Sequence, residues 1–371
     1  MDPVSKQPMV SVIVPARNEE ASLGACLKSL AAQTQVSFEI IVVDDGSTDR
    51  THEIAKSFAG VRVVEPGPLP PGWIGKNNAL VAGAKEAQGG SLLFTDADTV
   101  HQAGSLARSL EEAQRQRASL LSYSPEQEVH GFWEKAVMPV IFAELASSYR
   151  PSDVSDPTSS AAAANGQYML ISREAYDAVG GHEGIAASLL EDVALARAVK
   201  ATGRRIFFRY GKDAVRTRMY RSFAQLKEGW TKNLGLLFPS PGRLAWLRLT
   251  EFVLIVSSVT VAIVMGMKGR TPASVAVGLL ALTLIGLFLG RIRKAHFSWD
   301  ATVLALIGLP LFAYLLLRSR NAYQKGSVTW KGRRYTGNRT RDSVKTNQVK
   351  AGRRHDTQQD ADGAPSHATS I

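Results

Sequence analysis

Three acidic clusters stand where this chain could do chemistry: Asp44-Asp45-Gly46-Ser47-Thr48-Asp49, Asp96-Ala97-Asp98 and Glu191-Asp192. Asp96 and Asp98 sit on alternate residues directly after Leu92-Leu93-Phe94-Thr95. That spacing lets both carboxylates approach one hard cation, Mg or Mn, which would also bridge phosphate oxygens. A helix cap is the competing use. In the first cluster the glycine permits a tight turn and Ser47 or Thr48 can cap the next helix. Its acids could accept from a base N–H or a ribose hydroxyl, with the helix N-terminus facing a diphosphate; the same residues also build turns and caps for purely structural reasons. Glu191-Asp192 opens a helical run over 193–200, where the helix dipole favours acids whatever their task. The preceding Gly180-Gly181-His182-Glu183-Gly184 is a loop whose glycines allow close backbone approach and whose end delivers the two acids to the same rim. Asp192 is then placed to deprotonate an acceptor hydroxyl.

The elements that must hold these acids are legible as a rhythm. Short apolar runs at 10–14, 40–43, 61–64 and 92–94 alternate with helical patterns at 19–32 and 77–87. Near-continuous Val and Ile in the strands implies burial on both faces, hence a mostly parallel sheet with helices on either side. Ligands of such sheets sit beyond the carboxyl ends of the strands, and the acidic clusters follow strands closely. The α/β domain is expected over 10–221, after a short tail at 1–9.

The last third differs. Uncharged apolar runs cover 252–267, 271–290 and 301–317; the middle one clearly reaches the ~20 residues of a spanning helix, and the outer two sit at the lower limit. None shows the polar face of a core helix, so two or three transmembrane helices are expected over 244–317. Between the two regions, Phe223, Leu226, Trp230, Leu234 and Leu237 repeat at threes and fours beside Lys227 and Lys232. This predicts an amphipathic helix over 222–243 that lies against the membrane surface.

Among the 371 residues, 45% are hydrophobic and 21% charged, ordinary for an enzyme with an appendage. The formal charge of +11 is localised, since 318–354 holds a dozen Lys and Arg against Asp342 alone. A basic stretch after an apolar span points to anionic headgroups at 318–341 and not to nucleic acid, for which no recognition motif is present. From 342 to 371 the composition predicts disorder. Cys26 is the only cysteine, so no intrachain disulfide forms. Residues 1–10 show no leader, so the α/β domain is expected in the cytoplasm on a multi-pass anchor in the inner (plasma) membrane. Three full spans would then put the basic tail outside, against the positive-inside bias.

Taken in order, Ser11-Val12-Ile13-Val14-Pro15-Ala16-Arg17-Asn18-Glu19-Glu20, the turn at 44–49, Asp96-Ala97-Asp98, Gly180-Gly181-His182-Glu183 and Glu191-Asp192 resemble family 2 glycosyltransferases over most of 8–235. The resemblance implies a GT-A fold, an α/β nucleotide-sugar domain that inverts the anomeric centre. It implies that Pro15, Ala16, Arg17 and Glu19 line the base pocket, that Asp45 holds uracil or ribose, and that Asp96 and Asp98 manage diphosphate and metal. Lys76 would neutralise phosphate charge, and His182, Glu183 and Trp230 would stand beside the acceptor. Leu69-Pro70-Pro71-Gly72-Trp73-Ile74-Gly75-Lys76, Arg218-Met219-Tyr220, the stretch from Leu226 to Asn233, and Val328-Thr329-Trp330-Lys331-Gly332-Arg333 are similar to the membrane-bound branch acting on carotenoid or related terpenoid acceptors. The Gln-x-x-Arg-Trp motif of processive synthases is broken, Gly229 standing where Arg is expected. The resulting expectation is single displacement from a UDP-sugar to a hydroxyl of a membrane lipid. Transfer to polyprenyl phosphate and a non-catalytic nucleotide-binding scaffold are the alternatives.

Overall fold

The computed structural model describes residues 9–335. The strands are β1 (Val10–Ala16), β2 (Phe38–Asp44), β3 (Val61–Val64), β4 (Ser91–Phe94), β5 (Thr99–His101), β6 (Leu120–Ser124), β7 (Glu126–Gln127), β8 (Met169–Ser172), β9 (Ile206–Tyr210), β10 (Val215–Thr217), β11 (Val328–Trp330) and β12 (Arg333–Tyr335). The helices of the α/β part are α1 (Leu23–Ala31), α2 (Thr51–Lys56), α3 (Gly75–Glu86), α4 (Ser105–Gln116), α5 (Phe132–Ser148), α6 (Pro151–Ser155), α7 (Arg173–Ala178) and α8 (Glu191–Ala201). They are followed by α9 (Phe223–Leu237), α10 (Pro241–Met267), α11 (Thr271–Ile292) and α12 (Trp299–Gln324).

Seven strands form one sheet in the order β3-β2-β1-β4-β8-β6-β9. All neighbours run parallel except β8, which is antiparallel to both β4 and β6. The first strands carry Val and Ile on both faces because both faces are covered. One core joins Ile13, Ile41 and Phe94 to α3 and α8; the other joins Val12, Val14 and Val42 to α1. Ala16 pairs with Asp44 in register, so the chain leaves β1 and β2 at the same edge, where β4 also ends. The expected parallel sheet is thus present, with Pro15, Asp45 and Asp96 along one rim.

A third core holds α5, α9 and α12 together through Val137, Ile141, Trp230, Leu234, Leu309 and Phe312. Here an expectation is corrected: Leu226, Trp230 and Leu234 are buried against protein, so the apolar stripe of α9 is not a membrane-facing surface. Periodicity identifies an apolar face but not what covers it. Three helices are long and apolar enough to cross a membrane, but unequally enclosed: 11% of the apolar stretch is buried in α10 and in α11, against 50% in α12. The basic segment expected at 318–341 begins as the last turns of α12 and then forms the β11–β12 hairpin. Residues 336–341, the tail at 342–371 and most of the tail at 1–9 lie outside the described residues.

α12 approaches α5 closely at Gly308, where an added Cβ would overlap the Ala136 carbonyl oxygen. Because that obstacle is backbone, Gly308→Val must part the helices, at a cost of about 1–3 kcal/mol for overpacking. A lower melting temperature in detergent with unchanged helix content is expected; unaltered melting would show that the contact is slack.

Candidate active site

The rim residues converge because their elements end there. Asp45 donates its backbone N–H to the Ala16 carbonyl at 2.9 Å, extending the β1–β2 ladder by one rung. Arg17 donates to the Asp45 carbonyl, and Asn18 Oδ1 accepts from Thr48 N at 2.8 Å. Asp44 accepts from Ser47 N at 3.0 Å and lies 3.0 Å from His52 Nδ1. The acidic turn therefore builds itself with Asp44 and leaves Asp45 facing the pocket.

Lys76 is the centre of the arrangement. Its Nζ lies 2.6 Å from Asp96 Oδ1 and 2.6 Å from Glu191 Oε1, joining the end of β4 to the start of α8. It stands in the first turn of α3, where the helix dipole opposes a cation. Burial also acts to lower its pKa, but Asp96 and Glu191 override it and hold the ammonium well above its usual range. Asn77, next in sequence, sets the geometry: its Nδ2 donates to the carbonyls of Ile185, Ala186 and Ser188 at 2.9–3.2 Å. Ile74 N also donates to the Ala186 carbonyl, at 2.9 Å. These bonds dock the loop before α8 against α3 and bring Glu191 to Lys76.

The two acids of α8 are driven apart in character. Burial acts to raise the Glu191 carboxyl, but Lys76 and then Lys232 pull it below the usual range, so it is ionised. Asp192 is pushed up to about 6 by burial and by the adjacent Glu191 charge, with Lys76 opposing. Its oxygens accept from Gly166 N at 3.1 Å and Val193 N at 2.7 Å. Gly166 keeps this approach uncrowded, since a Cβ there would come within 3.2 Å of Lys76 Nζ and 3.3 Å of Glu191 Oε1. A neighbouring pair with split pKa values is how one site keeps a permanent anion beside a base poised near neutrality.

Two cavities meet at this point. The smaller, of about 140 Å³, is lined by Pro15, Ala16, Arg17, Glu19, Asp45 and Asp98 among others. The larger, of about 450 Å³, is walled by apolar side chains including Phe142, Leu145, Tyr149, Met219 and Trp230, and Asp192 opens into it. Lys76, Asp96, Leu189, Glu191 and Lys232 line both. Asp98 Oδ1 is buried without a hydrogen-bond partner. Its carboxyl is pushed up to about 7 by burial and then by Asp96 and Glu19, against Lys331 and Lys76.

Of the residues expected from sequence, Pro15, Ala16, Arg17, Glu19, Asp45, Lys76, Asp96, Asp98, Glu191, Asp192 and Trp230 are brought together around the two cavities. Trp230 is a wall, its indole N–H aimed at Met138 Sδ at 3.3 Å. His182 and Glu183 are not at the site. His182 is fully buried, its Nδ1 3.1 Å from the Tyr176 hydroxyl and its ring on edge to Phe94 at 4.6 Å; burial holds it neutral, at about 3. Glu183 is exposed. The glycines around them serve the turn into α8, not an acceptor contact.

Sequence reasoning missed three contributions. Asn77 and Gly166 act through backbone contacts that leave no local pattern. Lys232 is a cation shared by both cavities, with Nζ 4.9 Å from the Trp330 ring centroid. Lys331 donates to the Arg17 carbonyl at 2.9 Å and pairs with Glu19, while Arg333 Nη2 reaches Asp45 Oδ1 at 3.0 Å in a two-pronged pair. Basic residues expected to meet headgroups thus cover the smaller cavity. The Val328 to Arg333 motif was the available signal.

Residues 11–180 match the family model for glycosyl transferase family 2, so this stretch of the α/β part is similar to the domain of that family. A 4,4'-diaponeurosporenoate glycosyltransferase of Staphylococcus aureus (strain MRSA252) is 29% identical over 338 residues, covering 88% of each chain. Among solved structures, the mannosyltransferase PcManGT from Pyrobaculum calidifontis, in complex with GDP-Man and Mn2+, is 16% identical with a TM-score of 0.48, covering 86% of this chain and 87% of that one. TarS of S. aureus in complex with UDP-GlcNAc is 16% identical with a TM-score of 0.42, covering 85% and 92%.

Replacing Lys76 by Met strands Glu191, whose side chain is 9% exposed. Breaking a buried pair costs about 3–5 kcal/mol, and because Lys76 itself is 32% exposed the expected loss falls to about 1–3 kcal/mol. Glu191 is depressed in the fold, so its contribution is present above the unfolded carboxylate pKa and lost on acidification. Lys76→Met should therefore melt lower than the parent at pH 8 and approach it near pH 4, and adding Glu191→Gln should restore stability but not turnover. Equal deficits at both pH values would refute the pairing.

Proposed function

We propose that the protein transfers a sugar from a nucleoside diphosphate sugar, most simply a UDP-sugar, to a hydroxyl of a carotenoid or related membrane terpenoid, inverting the anomeric carbon. The observation that carries this reading is the meeting of a polar, cation-rich cavity with a larger apolar one at Lys76, Asp96, Glu191 and Lys232, with Asp192 on the apolar side. The carotenoid named in the relatives' description supports the acceptor class. Asp192 accepts the hydroxyl proton, the acceptor oxygen bonds to the anomeric carbon, and the bond from that carbon to the diphosphate breaks. Lys76 and Lys232 face the diphosphate and oppose the charge it gains. No covalent sugar intermediate forms.

A divalent cation, Mg or Mn, fits Asp96 and Asp98, hard oxygen donors of which Asp98 Oδ1 has no other partner. Among the described residues no group of three or more His, Cys, Asp and Glu could hold such an ion, so water and phosphate oxygens would complete its shell. When bound it would neutralise charge on the leaving diphosphate. The positive-inside bias supports a domain on the cytoplasmic side of the inner membrane, because Arg243, Arg291, Arg293 and Lys294 cluster at its ends of α10 and α11, against Lys268 and Arg270 at the far turn.

A carboxylate acceptor is the second reading. It is favoured by Lys232, a cation in both cavities, and by the acid anion in the relatives' name. An acid needs no base. Mild alkali separates the readings, since it releases an ester-linked sugar and spares a glycoside, while mild acid releases a sugar from polyprenyl phosphate.

Asp192→Asn should lower kcat by about 10²–10⁴-fold, the usual worth of a general base, without weakening UDP-sugar binding. The base acts as its carboxylate, so parent kcat should be flat above pH 7 and fall about tenfold per unit below pH ~6. Near-parent turnover by the purified variant would remove Asp192 from this role.

A further inference from the structure

The three apolar helices pose a topological question that their ends answer. α12 has 26 residues, about 39 Å of helix against a ~30 Å hydrocarbon core, so a crossing would put its ends on opposite sides. Both ends are instead tied to the α/β domain, the first through α5 and β9 and the second through α9 and the hairpin that follows. At the start, Asp300 pairs with Lys135 of α5 at 2.6 Å, and His296 stacks on Tyr210 at the end of β9, with centroids 4.4 Å apart. α5 is itself fixed to the domain, Glu134 pairing with Arg218 at 3.1 Å. At the far end, Ser319 Oγ donates to the Thr231 carbonyl at 2.6 Å and Tyr323 to that of Lys232 at 2.6 Å. The hairpin then places Lys331 on Glu19 and Arg333 on Asp45, past the ends of β1 and β2.

α10 and α11 behave differently. They meet the domain only near one end, where Arg248 and Arg291 join Glu144 of α5 and Glu251 of α10 in a four-residue charge network. Beyond it each is apolar and largely exposed as far as the turn at Lys268, Gly269 and Arg270, α10 resting on α11 and on part of α12. On α12 the exposed apolar residues are confined to one face, Trp299, Val303, Ile307 and Tyr314, and the domain exposes Phe132 and Trp133 of α5 as well. One-sided exposure with aromatic residues marks a helix in the plane of the headgroup region.

We propose that the chain crosses the membrane twice, through α10 and α11, and that α12 lies in the surface of the domain-side leaflet, its inner face on α5 and α9 and its outer face on lipid. The β11–β12 hairpin and the basic residues from Arg318 to Arg334 are thereby kept on the side of the α/β domain, which removes the conflict with the positive-inside bias that three spans create. The inference rests on the membrane reading of α10 and α11 and not on the sugar chemistry.

Single cysteines test it in the native background, whose Cys26 is buried. Glu183→Cys reports the α/β domain, Lys268→Cys the α10–α11 turn and Ser327→Cys the start of the hairpin; all three positions are exposed. Sealed right-side-out and inverted membranes are treated with an impermeant maleimide. Labelling of Glu183→Cys and Ser327→Cys in one preparation and of Lys268→Cys in the other is expected. Labelling of Ser327→Cys together with Lys268→Cys, opposite Glu183→Cys, would establish a third crossing and overturn the proposal. Labelling of all three together would show that no helix crosses, overturning the membrane reading beneath it while leaving the transfer reaction intact.

Discussion

The Lys76 ammonium, held between Asp96 and Glu191, is the interaction on which the rest of the site depends. A cation in the first turn of a helix works against the helix dipole, and a half-buried ammonium forfeits hydration; both penalties are met only because two carboxylates from separate elements arrive at 2.6 Å. The same contact that makes Lys76 tolerable fixes the end of β4 against the start of α8. It also sorts the acids, since Glu191 is ionised by its partner and its charge then helps to raise Asp192. One bridge thus sets the distance between the polar and apolar cavities and the protonation state of the group between them.

Support for that bridge comes from both sides. Asn77 clamps three carbonyls of the loop that precedes α8, and Gly166 leaves room for Lys76 to pass. On the side of the larger cavity, α9 supplies Trp230 and Lys232 to its lining while its apolar stripe packs on α5 and α12. The residues Lys294, Ala295 and His296 between α11 and α12 also line that cavity, so the connection between two of the long apolar helices forms part of its wall.

The parts of this arrangement that sequence reveals are those with local signals. Strands buried on both faces read as Val and Ile runs, and a carboxylate just past such a strand must lie on the rim; Asp45, Asp96 and Asp98 were legible for that reason. Glu191 and Asp192 were legible through their helix start. Where one local pattern serves two environments, sequence misleads. The α9 stripe looks the same whether lipid or α12 covers it. The loop holding His182 is rich in glycine because it must turn tightly, and the histidine points inward to Tyr176. The pairing of Arg333 with Asp45 spans 288 positions of sequence, so the Val328 to Arg333 motif marks the segment but not its partner, and a basic segment after an apolar run more naturally suggests headgroups.

The central claim, that a base on the apolar side and a diphosphate on the polar side face each other across one anomeric carbon, is tested most directly by product stereochemistry. The full chain in lipid nanodiscs is given UDP-glucose, whose anomeric bond is α, and a hydroxylated carotenoid, and the anomeric proton coupling of the glycolipid is read by NMR. The account predicts a β-linked product. An α-linked product would contradict it, because retention requires either a covalent sugar intermediate or attack from the face the diphosphate leaves.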